Sequence, residues 1–333
     1  MMRIALKLML LALLCGAIAA GSVVWLVHRP LAVPDGPVDF TIARGSSARA
    51  AAGAIQAAGV ALDSHLFTWA ARISDRARQI KAGSYEINAP LSTWQLLEKL
   101  TAGDVSLREL RLIEGWTFAQ MRAAVDAHPD LSHDTKGMSG AEILASIGAT
   151  ETHPEGLFFP DTYRFDLRSS DLDLYRRAYH EMQQRLADAW QQRAAELPLA
   201  SPYEALILAS IVEKETGRAE DRPKIASVFV NRLKRGMRLQ TDPTVIYGMG
   251  ERFDGNLRRR DLERDTPYNS YTRAGLPPTP IAMPGAASLA ATLAPAETRH
   301  LYFVARGDGS SQFSQTLREH NRAVARFQLG RKN

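Results

Sequence analysis

Glu213 and Glu215 stand at the end of LILASIVEKETG (Leu206 to Gly217), two carboxylates closing a stretch that is otherwise almost wholly apolar. A carboxylic acid held neutral near pH 7 can protonate a departing oxygen, such as that of a glycosidic bond. Ala205, Leu206, Ile207, Leu208, Ala209, Ile211 and Val212 are apolar nearly all round, so the pattern predicts a helix buried on most sides. At about 100° per residue, positions two apart point in nearly opposite directions. The two carboxylates are therefore not a close pair: one is expected to face a cleft, the other solvent or an ion pair. Gly217 reads as the helix stop, which puts both in the last turn, where the macrodipole and burial favour the protonated form. A helix-terminal glutamate paired with Lys214, Arg218 or Arg222 would leave the same trace, so spacing alone does not decide.

The segment RLQTDPTVIYGMG follows, and then YNSYTRAGLPPTPIAMPG. Gln240, Thr241, Asp242 and Thr244 offer the hydrogen bonds that sugar hydroxyls and N-acetyl groups require, while Tyr247, Tyr268 and Tyr271 offer stacking faces. Asn269, between two tyrosines, is a candidate to orient a glycan or Glu215, although it could equally serve a turn, as Asp242 could serve a cap. Asp161, after Pro160 in EGLFFPDTY, is a further candidate on a loop beside an aromatic cluster. Asp242-Pro243 reads as a turn entering a short strand or helical turn, and Arg222-Pro223 as the start of a helix ending at Gly236.

Other chemistries lack their signatures. The 8 histidines show no H-x-x-x-H spacing, there is no G-x-S-x-G elbow and no Walker loop, and the single cysteine, Cys15, excludes an internal disulfide. A net charge of +5 spread along the chain suits anionic wall polymers or headgroups, and no nucleic-acid-binding signature accompanies it.

IVEKETG, VFVNRLKRGMRLQTDPTVIYG and YNSYTRAGLPPTPIAMPG, opened by EGLFFPDTY, resemble the YceG-like endolytic murein transglycosylase (MltG) family, closely over roughly residues 155–321 and more loosely before them. The resemblance implies that the catalytic acid is the glutamate of the EKE segment carried onto Glu215, where Glu215-Thr216 is similar to the Glu-Ser pair of other lytic transglycosylases; Glu213 is the other candidate. It implies a lyase without metal or cofactor that cuts the β-1,4 bond between N-acetylmuramic acid and N-acetylglucosamine within nascent strands. The products carry 1,6-anhydro ends and strand elongation stops. Two alternatives are a non-catalytic, peptidoglycan-binding septal scaffold and a muramidase that uses water, with Asp242 or Asp161 as its second carboxylate.

Positioning such a site calls for an α+β fold in several parts. Leu8 to Val27 is charge-free and spans the ~20 residues needed to cross a bilayer core. Arg3 and Lys7 precede it and Trp25 lies near its far end, so the short terminus is expected in the cytoplasm and residues 30–333 outside the bacterial inner membrane. Small residues at Ala17, Ala19 and Ala20 mimic a cleavage site, but the apolar run continues past them, as an uncleaved anchor would. The expected order is tip and anchor (1–29), linker (30–38), a small module (39–110), a connecting subdomain (111–154) and a catalytic domain with a glycan cleft (155–325). Three strand-turn-helix units, each with Ser or Thr at a helix N-cap, predict a small mixed sheet covered by helices in the membrane-proximal part. The resemblance implies that this part is LysM-like, a glycan-binding module, and that peptidoglycan synthases or divisome proteins are partners.

Overall fold

The computed structural model describes residues 2–34 and 36–330. Met1 of the expected tip, Asp35 of the expected linker, the side chain of Arg3 and residues 331–333 lie outside the described residues. The chain divides into two compact units, Met1–Arg108 with Arg164–Ser169, and Glu109–Tyr163 with Ser170–Asn333.

The first unit begins with α1 (Met2–His28), in which Leu6–His28 is long and apolar enough to cross a membrane and is buried almost nowhere. β1 (Val38–Ile42) turns Val38, Phe40 and Ile42 inward, the period-two alternation of a half-buried strand. It pairs antiparallel with β2 (Gly83–Ile87), setting Phe40 opposite Tyr85 with their rings 5.7 Å apart. α2 (Ala48–Ala57), α3 (Ser64–Ile73) and α4 (Thr93–Ala102) contribute Ile55, Phe67, Leu96, Leu97 and Leu100 to one core, each wholly buried. Ser47 caps α2, and Ser92 with Gln95 forms a capping box on α4, as the serine positions predict. The helix α3, capped by Asp63, is absent from the strand-turn-helix reading. Every sheet among the described residues has two strands, so the expected mixed sheet gives way to small ribbons.

The rest of the chain forms strands β3 (Leu107–Arg111), β4 (Leu131–Ser132), β5 (Thr162–Asp166) and β6 (Ser169–Ser170). Its helices are α5 (Phe118–Asp126), α6 (Gly140–Ile147), α7 (Asp171–Gln191), α8 (Pro202–Glu215), α9 (Arg222–Lys234), α10 (Asp242–Met249), α11 (Arg259–Glu263) and α12 (Ala286–Leu293). A hairpin of β7 (Tyr302–Ala305) and β8 (Ser311–Ser314) precedes α13 (Leu317–Phe327). The second unit is built around α8. Ala205 to Val212 are all buried, and α7, α9, α10 and α12 pack around them, as an all-round apolar helix demands. Ser210 donates its hydroxyl to Ile207 O and accepts the N–H of Ile281 at 3.0 Å, fastening the proline-rich segment to the helix. α8 ends at Glu215 because Thr216 is extended, one residue before the glycine expected to stop it. Of the short strand or helical turn expected after Asp242-Pro243, the structure has the helix, α10; Pro243 sits in its first turn, where its missing N–H would have had no partner.

Candidate active site

The last turn of α8 separates the two glutamates as the ~100° step requires. Glu213 turns to the N-terminus of α12, where its Oε2 accepts the Gly285 N–H at 3.0 Å. Glu215 turns the other way and accepts the hydroxyl of Thr241. Lys214, exposed, donates to Gly115 O at 3.1 Å and pairs with neither. Among the described residues no ion pair joins either glutamate to Lys214, Arg218 or Arg222, and Arg218 lies 3.6 Å from Glu220 instead.

Glu215 opens onto a cavity of about 540 Å³, shared with Gln240, Thr241, Asp242 and Tyr271. Burial raises its carboxyl to about 7; the Thr241 hydroxyl pulls it down, the charge of Asp242 pushes it up and Arg232 opposes that push. Asp242 Oδ1 accepts the Tyr271 hydroxyl at 2.5 Å, which joins two candidates on one wall. The phenol of Tyr271 is itself pushed up, by burial and by Asp242.

The loop entering α10 is tightly held. Gln240 takes a left-handed backbone, φ 49°, a conformation costly for a residue with a Cβ and more frequent at functional sites. Its N–H donates to Ser270 O at 3.1 Å, and the Thr241 N–H to Ser270 Oγ at 3.0 Å. Arg232, on α9 and only 8% exposed, holds the loop from the other side. Its guanidinium donates to Leu239 O at 2.7 Å, Arg238 O at 3.2 Å and Leu301 O at 2.7 Å, and it lies over the Tyr302 ring.

The remaining candidates lie elsewhere. Thr244 is buried, donating to Thr241 O and bonding Ser270 Oγ, both at 2.8 Å, so it shapes the loop. Asn269, 1% exposed, donates to the carbonyls of Asp261, Leu262 and Arg264 and accepts the Tyr271 N–H. Tyr247 and Tyr268 meet edge to face at 4.9 Å, and Tyr268 bonds Thr279. Asp161 is exposed, accepting the Thr162 N–H, and is not in the cavity lining.

Sequence reasoning did not find Arg232, nor the hairpin and helix residues Tyr302, His320 and Gln328 that complete the cavity. Nothing local in the sequence says that a segment some 90 residues later turns towards Glu215. A second raised acid, this one buried, was also missed. Glu155, 4% exposed, is raised to about 7 by burial while accepting the Phe118 N–H at 2.9 Å, with Tyr247 and the Gly156 N–H also bonding it. Away from the cavity, Asp126, His133 and Asp171 bring one ligand atom each within 4.8 Å, and Asp171 also accepts the N–H and hydroxyl of Thr135.

A raised carboxyl on a polar, tyrosine-walled cavity is equipped to donate a proton there. The chain belongs to the YceG-like family, which matches residues 40–326. It is 32% identical over 315 residues to the endolytic murein transglycosylase of Bacillus subtilis strain 168, covering 87% of this chain and 84% of that one. The endolytic murein transglycosylase of Streptococcus pneumoniae serotype 2 is 27% identical over 324 residues, which cover 86% of this chain and 58% of that longer one. Among solved structures, a YceG-like protein from Listeria monocytogenes superposes with a TM-score of 0.55 at 31% identity, covering 86% of this chain and 98% of that one.

Proposed function

We propose that this protein is an endolytic lytic transglycosylase of peptidoglycan in which Glu215 acts first as acid and then as base. The observation that carries the reading is Glu215 itself, half-buried, raised to about 7 and open to a cavity of polar and tyrosine side chains. Near neutral pH a large share of such a carboxyl is protonated and able to donate. Its proton goes to the oxygen between N-acetylmuramic acid and N-acetylglucosamine as the bond to C1 breaks. The carboxylate left behind takes the proton of the muramyl 6-hydroxyl as that oxygen bonds to C1, closing a 1,6-anhydro ring. Water is not consumed, because the intramolecular hydroxyl stands in for it at high effective concentration. Gln240, Asp242 and Tyr271 are suited to the sugar's amide and hydroxyl groups. The names of the relatives, endolytic murein transglycosylase, support the same substrate.

In this reading α1 is a single-pass anchor in the bacterial cytoplasmic membrane, residues 30–333 lie on its extracytoplasmic side, and the enzyme works on nascent strands beside synthases or division proteins. Residues 39–110 form the LysM-like module, 111–154 the connector and 155–325 the catalytic domain. Detergent-solubilised protein incubated with purified glycan strands should yield internal cuts with anhydro ends by mass spectrometry. Reducing ends would make it a water-using muramidase, and uncut strands across the pH range would leave a binding protein.

A further inference from the structure

We propose that the exposed face of α3, with Arg49, Arg72 and Arg78, seats the anionic phospholipid headgroups of the leaflet from which α1 emerges; the proposal rests on the anchor reading above. α1 does not lead into a free tether. Val27 is 6% exposed, the His28 ring lies 5.9 Å from that of Trp94, Pro30 bridges Ser92, and the Leu31 N–H donates to Leu91 O at 3.0 Å. The expected linker is thus partly built into the module, and a helix crossing the bilayer fixes the depth of whatever is packed on its last turns.

What is packed there has the chemistry of an interface. Val23 lines a depression of about 860 Å³ together with Leu66, Trp69, Arg49 and Arg72. Val23 precedes His28 by five residues, about 7 Å along the helix axis, so it belongs to the apolar run rather than to its exit. Trp69 and Ile73, four apart on α3, are 47% and 66% exposed, an amphipathic stripe of the kind that settles at headgroup level. A second depression of about 480 Å³ shares Ser47, Arg49, Thr68 and Arg72 with the first and adds Arg78. The three arginines make no ion pair among the described residues, whereas neighbouring Arg76 is taken up by Glu98 at 3.4 Å and the face of Trp94. Neither depression has a carboxylate or carboxamide in its lining. Unopposed guanidinium groups suit phosphate, and the lining lacks the Asp, Glu, Asn and Gln acceptors common in sugar sites, leaving Ser47 and Thr68 as its hydroxyls. The face therefore fits a lipid surface better than a glycan.

The full chain, reconstituted in nanodiscs of zwitterionic lipid alone or with phosphatidylglycerol, tests this by hydrogen exchange over residues 64–78. Expected is about tenfold slower exchange with the anionic lipid, abolished in Arg49→Gln/Arg72→Gln/Arg78→Gln, together with a component of tryptophan quenching by interfacially brominated lipid, beyond that of Trp25, that is lost in Trp69→Phe. Equal exchange in both discs, or protection by soluble glycan fragments in place of lipid, overturns the proposal. A chain that enters neither disc removes the anchor reading and the proposal with it, a result distinct from a chain that inserts but ignores lipid charge.

Discussion

The hydroxyl of Thr241 donates to the carboxylate of Glu215, and the bond joins the last residue of α8 to the residue that precedes α10. The left-handed Gln240 and the Ser270 contacts aim that hydroxyl. A rigid helix end thus presents the acid, burial raises its carboxyl, and a strained, braced loop tempers that rise through Thr241.

Glu215→Gln should lower strand cleavage by roughly 10²–10⁴, the range that general acid–base catalysis contributes, with the fold intact. Glu213→Gln should keep the chemistry. It weakens a charge-assisted bond to the Gly285 N–H, worth about 1–2 kcal/mol, so the melting temperature falls by a few degrees. Cleavage by Glu215→Gln at the parent's rate, with Glu213→Gln dead, would reverse the assignment.

Thr241→Val and Asp242→Asn should move the basic limb of the rate profile in opposite directions. Activity needs protonated Glu215, so it declines as pH rises through about 7. Thr241 stabilises the carboxylate, and without its hydroxyl the limb moves to higher pH; the charge of Asp242 destabilises the carboxylate, and without it the limb moves lower. Profiles of kcat/KM for the three proteins decide the matter, and parallel shifts would show that the limb belongs to another group.

Much of this site was readable beforehand because it is local. An apolar run around a whole helix reports its own burial, and the 200° between Glu213 and Glu215 follows from helix geometry, so their divergence needed no coordinates. Ser47, Ser92 and Thr117 marked helix starts because a cap is a contact within three residues. What was illegible is nonlocal. Arg232 reads as one more charge on α9, and only its contact with Leu301 O, 69 positions away, makes it a clasp. Asn269 and Thr244 have the composition of sugar ligands, yet their bonds run to nearby carbonyls, a choice between partners that composition does not record.

Glu155→Gln should flatten the pH dependence of stability. The folded state holds this carboxyl at about 7 against an ordinary 4.5, so it binds a proton that the unfolded chain has released between those values. Its contribution is fully present below 4.5, declines as pH rises towards 7 and is absent above; for a group this buried it is on the order of 3 kcal/mol. Glu215 slopes the same way, so the variant should retain a shallower decline. Chemical denaturation at pH 5 and pH 8 measures both slopes, and an unchanged difference between the two pH values would show that Glu155 is not the group responsible.

Arg232→Lys should separate charge from grip. The ammonium keeps a positive charge near Glu215, so the basic limb of the rate profile stays where it is. A lysine cannot reproduce the planar donor set that reaches Leu239 O, Arg238 O and Leu301 O together, and the carbonyls of Leu239 and Leu301 left behind are buried. A loss of about 2–3 kcal/mol follows, seen as a melting temperature lower by roughly 5–10 °C. The turnover number should fall as well, since the Gln240–Thr241 loop loses its brace while the acid keeps its place at the end of α8. A variant with parental melting and turnover would show that the loop is held by Ser270 alone, and one with a shifted limb would show that Arg232 acts on Glu215 through its charge distribution rather than through the loop.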